Sequence, residues 1–115
     1  METLRLIEQG PLNPYLNLAI EEAILRGLLE KKSPYTFRLW QHRPVITLGC
    51  FQDPREEVNL DLCDKLGVLV ARRMCGGGAM YLDQGNLIYS VFLDDNFPEI
   101  PASPQESYKF FQKEL

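Results

Sequence analysis

The sequence lacks any long apolar segment and any excess of positive charge. No apolar run approaches the roughly 20 residues that a membrane-spanning helix needs, and the residues from Met1 to Arg5 show no charged-then-apolar signal peptide. The 12 lysine and arginine residues are outnumbered by 16 aspartate and glutamate residues, which gives a net charge of −4. An acidic chain is a poor match for nucleic acids and membrane surfaces, whose charge is also negative. We therefore expect a cytoplasmic protein that binds neither of them.

Histidine and cysteine are also scarce, with one and three residues. Cys50, Cys63 and Cys75 form no C-x-x-C pair, so we expect neither a disulfide framework nor a resident metal site. Cys63 is expected in the core, and His42 is expected to be exposed in a turn. Because no base lies near Cys75 in the sequence, we interpret Cys75 as a pocket-lining residue, with a catalytic nucleophile as the alternative.

The most regular helical pattern begins at Asn13, a favourable N-cap residue that is followed by Pro14 at the first helical position. Apolar residues then repeat at the i, i+3, i+4, i+7 spacing of an amphipathic helix, and Ser33-Pro34 ends the pattern. The predicted apolar face comprises Leu16, Ala19, Ile20, Ala23, Ile24, Gly27 and Leu28. The predicted solvent face comprises Glu21, Glu22, Arg26 and Glu30.

Alternating or continuous apolar runs predict five strands. They are Thr3 to Glu8, Tyr35 to Trp40, Val45 to Leu48, Val68 to Ala71 and Asn86 to Phe92. The second and third runs are separated by a short turn, so we expect them to pair as an antiparallel hairpin. A short helix from Leu60 to Leu66 is expected between Asn59 as its N-cap and Gly67 as its C-cap.

A last helix is predicted to start at Ser103-Pro104 and to contain Tyr108, Phe110, Phe111 and Leu115. These apolar residues need a partner, and so short a helix gains little stability alone. At 115 residues the chain forms one domain at most. We therefore expect a truncated domain, or one part of a protein whose other part is a second chain.

The segment Arg72-Arg73-Met74-Cys75-Gly76-Gly77-Gly78-Ala79-Met80-Tyr81 lies between two predicted strands. Three consecutive glycines are a poor choice for an ordinary turn, but they let backbone approach a ligand closely. Two arginines beside them supply forked donors that suit carboxylate or phosphate. The segment therefore predicts an anion pocket, with a glycine-rich hairpin and two solvated arginines as the alternative. It is not a P-loop, because no G-K-[ST] follows the glycines.

Asp83-Gln84-Gly85-Asn86 has the composition of a tight turn. The simplest interpretation is a connection between two strands. Asp83 has two further interpretations, since its carboxylate would also suit an arginine or a metal ion bound to a phosphate.

Four blocks of the sequence resemble the lipoate–protein ligase family and the related octanoyl and lipoyl transferases. Asn17-Leu18-Ala19-Ile20-Glu21-Glu22 resembles the N-x-A-x-E-E of the family's first helix, and Trp40 to Gln52 resembles its W-x5-V-x2-G-x2-Q segment. Arg72 to Ala79 resembles the R-R-x-[ST]-G-G-G-A signature, and Asp83 to Asn86 resembles the D-x-G-N that follows it. Matches in this order cover almost the whole chain.

The resemblance implies a fold and a reaction. The fold class would be α/β, or α+β in stricter usage: a mixed, largely antiparallel sheet with packed helices, as in the class II synthetase-like biotin/lipoate ligases. Residues 1–115 would be the N-terminal portion of one such catalytic domain, and incomplete. The chain would bind ATP, accompanied by Mg²⁺, and lipoate to form lipoyl-adenylate. The acceptor would be a lysine of a lipoyl domain in a dehydrogenase complex or of the glycine-cleavage protein.

The resemblance also implies site residues. Arg73 would contact the phosphates, the backbone from Gly78 to Tyr81 would run along the nucleotide and acyl chain, and Gly76 and Gly77 would let it come close. The full predicted binding set is Arg72, Arg73, Gly76, Gly77, Gly78, Ala79, Met80, Tyr81 and Asp83.

Three departures from the family pattern leave alternatives open. Leu82 stands where many relatives have a histidine, and Cys75 stands where a small hydroxyl residue is usual. The family's catalytic lysine or cysteine would lie beyond Leu115, so no catalytic residue is assigned. The alternatives are an octanoyltransferase that takes its acyl group from a carrier protein, and a non-catalytic fragment or subunit that a partner chain completes.

Overall fold

A computed structural model describes residues 3–97 and residues 105, 106, 109, 112 and 113. The described elements are β1 (Leu4–Leu12), α1 (Pro14–Leu29), β2 (Tyr35–His42), β3 (Val45–Leu48), α2 (Pro54–Glu57), α3 (Leu60–Leu66), β4 (Leu69–Arg72), β5 (Met80–Leu82) and β6 (Ile88–Phe92). The residues on which the predicted last helix rests, Tyr108, Phe110, Phe111 and Leu115, lie outside the described residues. Within the described part, no helix combines the length and the apolar character that crossing a membrane requires.

The strands form two three-stranded sheets, in the orders β1-β2-β6 and β4-β3-β5. Each sheet contains one parallel pair, β1 with β2 and β3 with β4, and one antiparallel pair, β2 with β6 and β3 with β5. The mixed α+β class is therefore confirmed. The predicted hairpin between the second and third runs is wrong, because β2 and β3 belong to different sheets.

Helix α1 starts and α3 ends where the capping residues predict. Asn13 Oδ1 accepts hydrogen bonds from the backbone N–H groups of Tyr15 and Leu16, and Pro14 fills the first helical position. Gly67 takes the left-handed conformation (φ 70°) that closes α3. Cys63 of α3 is buried, as predicted.

The inner face of α1 differs from the predicted apolar face. Ile24 and Leu28 are buried and pack with Phe92 of β6 in the core, but Leu16 is half exposed. The predicted position of Ala19 and Ala23 in the core is wrong as well, since both are exposed. The first half of the inner face is instead polar, because Asn17 is fully buried and the side chain of Glu21 is only 13% exposed.

Candidate functional site

The glycine loop, defined here as residues 73–79, connects β4 to β5 and is held by the Arg73 side chain. Its Nη1 donates to the backbone oxygen of Thr47 at 3.0 Å and to Thr47 Oγ1 at 2.9 Å. Its Nη2 donates to the carbonyl oxygens of Gly76 at 3.1 Å and Gly78 at 2.8 Å. One guanidinium therefore ties the loop to β3.

Arg72 holds the neighbouring segment in a similar way. Its Nη1 donates to the carbonyl oxygens of Cys50 at 3.1 Å and Gln52 at 2.7 Å, with a longer contact to Gly49 at 3.4 Å. The segment after β3 and the glycine loop are in direct contact, because a Cβ on Gly49 would lie 2.1 Å from the carbonyl oxygen of Gly77. Only glycine fits at position 49.

In the glycine loop, the carbonyl oxygens of Cys75, Gly76 and Gly78 accept hydrogen bonds, whereas the amides of its three glycines are unpaired. Among the described residues, the backbone N–H groups of Gly76, Gly77 and Gly78 donate no hydrogen bond. Gly77 also has a positive φ of 102°, a conformation that glycine adopts at no steric cost. Neighbouring unpaired amides in such a loop suit an anion or a developing oxyanion.

A groove of about 450 Å³ opens between α1 and the end of β4. Most of its surface is apolar, and three of its most buried residues are Trp40, Ala71 and Glu21. Its lining residues are Tyr15, Leu18, Ala19, Glu21, Glu22, Trp40, Ala71, Arg72, Arg73, Met74 and Cys75. Five consecutive residues that lead into the three glycines thus form one wall of an apolar groove.

The structure separates the predicted binding residues into two groups. Arg72 and Arg73 reach the groove, and Gly76 to Ala79 follow along the chain. Met80 is half exposed on β5, and Tyr81 lines a different cavity of about 340 Å³, beside α3. The roles given to the whole set remain predictions.

Asp83 forms the tight turn that its sequence context predicts. Its carboxylate accepts hydrogen bonds from the Tyr81 hydroxyl at 3.1 Å and from the Gly85 amide at 2.8 Å. The bond to Asp83 raises the pKa of Tyr81. Asp83 bonds no arginine of the described residues, and no three His, Cys, Asp or Glu side chains gather as a metal site in that part of the chain.

Sequence reasoning missed a buried polar network beneath the groove. Arg38 on β2 is fully buried. Its Nη2 donates a hydrogen bond to Asn17 Oδ1 at 2.7 Å, and its Nε donates one to Gln9 Oε1 at 2.7 Å. Its Nη1 lies 3.4 Å from Glu21 Oε2. Burial raises the pKa of Glu21 and lowers that of Arg38, although each opposes the other's shift. The sequence feature that could have predicted this network is the N-x-A-x-E-E block, because its Asn17 and Glu21 are the residues that turn inward.

The predicted exposure of His42 is wrong, since only 1% of the residue is accessible. Asn17 Nδ2 lies 3.1 Å from His42 Nδ1 and 2.8 Å from the carbonyl oxygen of Gln41. Because Asn17 Oδ1 accepts from Arg38, the amide presents donors to His42, and Nδ1 is the acceptor of a neutral ring. Burial, and secondly the charge of Arg38, lowers the pKa of His42.

Comparisons with known proteins agree with the motifs. A family model described as the lipoyl protein ligase A/B catalytic domain matches residues 13–114. Octanoyltransferase LipM of Bacillus subtilis (strain 168) is 36% identical over 109 residues, which cover 94% of this chain and 39% of that protein.

Solved structures give the same result. Lipoate-protein ligase A bound with ATP matches with a TM-score of 0.77 and 34% identity, over 95% of this chain and 42% of that one. A bi-partite lipoate protein ligase from Thermoplasma acidophilum, analysed with its E2 lipoyl domain, matches with a TM-score of 0.70 and 36% identity, over 87% and 39%. The chain spans about two fifths of the length of these relatives. It belongs to the lipoyl protein ligase A/B catalytic domain family, as its motifs predict.

Proposed function

We propose that this chain supplies the acyl-binding part of an octanoyltransferase site. The observation that carries this proposal is the junction of an apolar groove with a loop whose three glycine amides are unpaired. An eight-carbon acyl chain would lie in the groove, and its thioester carbonyl would meet the loop amides. These donors would stabilise the oxygen as it gains negative charge during acyl transfer.

The hydrogen bonds of the two arginines favour a thioester over ATP as the acyl donor. Both guanidinium groups donate to backbone carbonyls of this chain, so their role here is to hold the loop in place rather than to contact phosphates. The name of the Bacillus subtilis relative, octanoyltransferase LipM, supports the same reaction. The acceptor would be a lysine of a lipoyl domain, the kind of domain that was studied with the Thermoplasma ligase.

The second candidate is the ATP-dependent lipoate ligase predicted from the motifs. It is favoured by the likeness to a ligase bound with ATP, and by the loop amides, which would also suit a phosphate. ATP, when bound, would activate the carboxylic acid as an acyl-adenylate. Gly76, Gly77 and Gly78 would then hold the phosphate, and the groove would hold the acyl chain as before.

Titration calorimetry distinguishes the two candidates. The full chain is titrated separately with octanoyl-pantetheine, lipoic acid and ATP. We expect octanoyl-pantetheine to bind without ATP. Binding of ATP together with no binding of octanoyl-pantetheine would overturn the proposal in favour of the ligase.

Two matched helix variants test whether the groove is the acyl site. Ala19 and Ala23 are both exposed on α1, one turn apart, but only Ala19 lines the groove. Ala19→Trp fills the groove and is expected to weaken octanoyl-pantetheine binding at least about tenfold, while Ala23→Trp binds like the wild type. Equal losses in both variants would contradict the assignment.

Acyl transfer itself is the step for which the family resemblance assigns no residue of this chain. It implies that the catalytic lysine or cysteine of the family has no counterpart among the four motifs. We therefore expect the 115-residue chain alone to bind octanoyl-pantetheine without transferring the acyl group to a lipoyl domain. Mass spectrometry of the lipoyl domain measures the transfer, and modification by the chain alone would show that its own residues suffice.

A further inference from the structure

Ser90 on β6 joins two residues of the groove without lining the groove itself. Trp40 Nε1 donates a hydrogen bond to Ser90 Oγ at 3.0 Å, and Ser90 Oγ donates one to Glu21 Oε1. Trp40 and Glu21 both line the groove. A single hydroxyl therefore connects β2, β6 and α1 directly behind the groove wall.

The other contacts of Trp40 fix its ring less completely. The Arg38 guanidinium lies 4.5 Å from the ring centroid, and the His42 ring meets it edge-on with centroids 4.8 Å apart. Such ring contacts tolerate sliding and tilting, whereas an N–H···O bond weakens steeply when its angle changes. The bond to Ser90 is thus the contact that sets where the indole edge lies.

Glu21 depends on Ser90 as well. Its second oxygen, Oε2, is buried and makes no hydrogen bond within the described residues, although it lies 3.4 Å from Arg38 Nη1. Among the residues that the structure describes, Oε1 bonds only Ser90. Removal of the Ser90 hydroxyl would therefore release both the indole N–H and the carboxylate from their hydrogen-bond partner.

We propose that Ser90 is a positioning residue that sets which acyl-chain length the groove accepts, by fixing Trp40 and Glu21 at its inner wall. The inference rests on the proposed function, since it assumes that the groove holds an acyl chain. It does not require Ser90 to touch the ligand. Ser90 acts because two of the most buried residues of the groove wall take their positions from its hydroxyl.

Tryptophan fluorescence tests the positioning without any ligand, because Trp40 is the only tryptophan of the chain. We expect Ser90→Ala to lower the fluorescence anisotropy of Trp40 and to increase its quenching by acrylamide. Ser90→Thr keeps the hydroxyl and is expected to retain the wild-type signals. The control is Tyr89→Phe, which removes a hydroxyl from the neighbouring position of β6. Tyr89 lies on the opposite face of the sheet, where it stacks on Phe37. This variant is expected to leave both signals unchanged. Unchanged signals in Ser90→Ala would overturn the inference.

Affinity for a series of acyl-pantetheines from hexanoyl to dodecanoyl tests the specificity. Loss of the hydrogen bonds that Ser90 makes is expected to change the ratio of octanoyl-pantetheine to dodecanoyl-pantetheine affinity on the order of fivefold in Ser90→Ala, with Ser90→Thr restoring the wild-type ratio. A purely structural role would lower the melting temperature and weaken binding of every member of the series by the same factor, which would contradict the inference. If the wild-type chain binds no member of the series, the proposed function itself fails. If it binds them and the ratio does not change in Ser90→Ala, only the role of Ser90 fails.

Discussion

Asn17 Oδ1 lies 2.7 Å from Arg38 Nη2, and neither side chain is accessible to solvent. The same amide also donates to His42 Nδ1 and to the carbonyl oxygen of Gln41. Asn17→Ala would leave a buried charge, the buried His42 Nδ1 and the Gln41 carbonyl without this partner, so we expect a loss of about 3 kcal/mol in the free energy of unfolding. Urea denaturation measures it.

Asn13→Ala is the matched control, because it also removes an asparagine amide, here at the N-cap of α1. Asn13 is exposed and caps the helix through the N–H groups of Tyr15 and Leu16, and such a cap contributes about 1 kcal/mol. If the two variants lose the same stability, the buried network contributes no more than a helix cap, and its importance is refuted.

His42 predicts a specific pH dependence of stability. Burial lowers its pKa in the folded chain below the ordinary value of 6.5, so the unfolded chain takes up a proton first as the pH falls. The wild type is therefore expected to lose stability progressively below pH 6.5. His42→Gln supplies an amide oxygen that can accept the hydrogen bond from Asn17 but lacks the titrating group, so that part of the loss should be absent.

Denaturation of both proteins between about pH 5 and about pH 8 gives the test, within the range where histidine titrates. Glu21 and all other titrating groups are common to the two proteins, so the difference between their free energies of unfolding isolates His42. That difference should be constant above the ordinary pKa of histidine. As the pH falls below it, the wild type should lose stability relative to His42→Gln. A constant difference across the range would show that His42 titrates alike in both states.

Gly49 and Gly76 are predicted to respond very differently to the same substitution. A Cβ on Gly49 would lie 2.1 Å from the Gly77 carbonyl oxygen, whereas a Cβ on Gly76 meets nothing within 4 Å. Gly49→Ala is expected to cost at least about 2 kcal/mol through this overlap, and Gly76→Ala to stay within about 0.5 kcal/mol of the wild type. Thermal and urea unfolding compare them, and equal stability of the two variants would argue against the tight contact.

The local signals in the sequence predicted what neighbouring residues decide. Asn13 and Pro14 start α1, and Gly67 ends α3, because capping depends on groups within one turn of the helix end. The ordered motifs identified the family in the same way. Each cap and each of the four motifs consists of consecutive residues, and the family follows from the order of the motifs along the chain.

Pairing between distant segments was not predictable in this way. A short turn after β2 suggested a hairpin, but β2 takes its partners from β1 and β6, and no local pattern specifies that choice. Glu21 was assigned to the solvent face by apolar periodicity, which leaves polar residues to solvent, and the same pattern gave Asn17 no place on either face. They turn inward because Arg38, on another element, satisfies them.

Arg73 offers the most direct test of how the glycine loop works. An arginine that only attracted an anionic ligand would be replaced in large part by lysine, which keeps the charge. The structure instead uses the fork of the guanidinium, which reaches Thr47 with one nitrogen and the carbonyls of Gly76 and Gly78 with the other, and lysine has no such fork.

We therefore expect Arg73→Ala and Arg73→Lys to weaken octanoyl-pantetheine binding alike, on the order of tenfold. Arg26→Ala serves as the control, because Arg26 is exposed and its side chain pairs with Glu22 on the same helix, and it should bind like the wild type. Calorimetry measures all three variants, and the same comparison with lipoyl-adenylate covers the ligase alternative. Recovery of affinity in Arg73→Lys would assign Arg73 to direct contact with the ligand, whereas equal binding by Arg73→Ala and Arg26→Ala would remove Arg73 from the site.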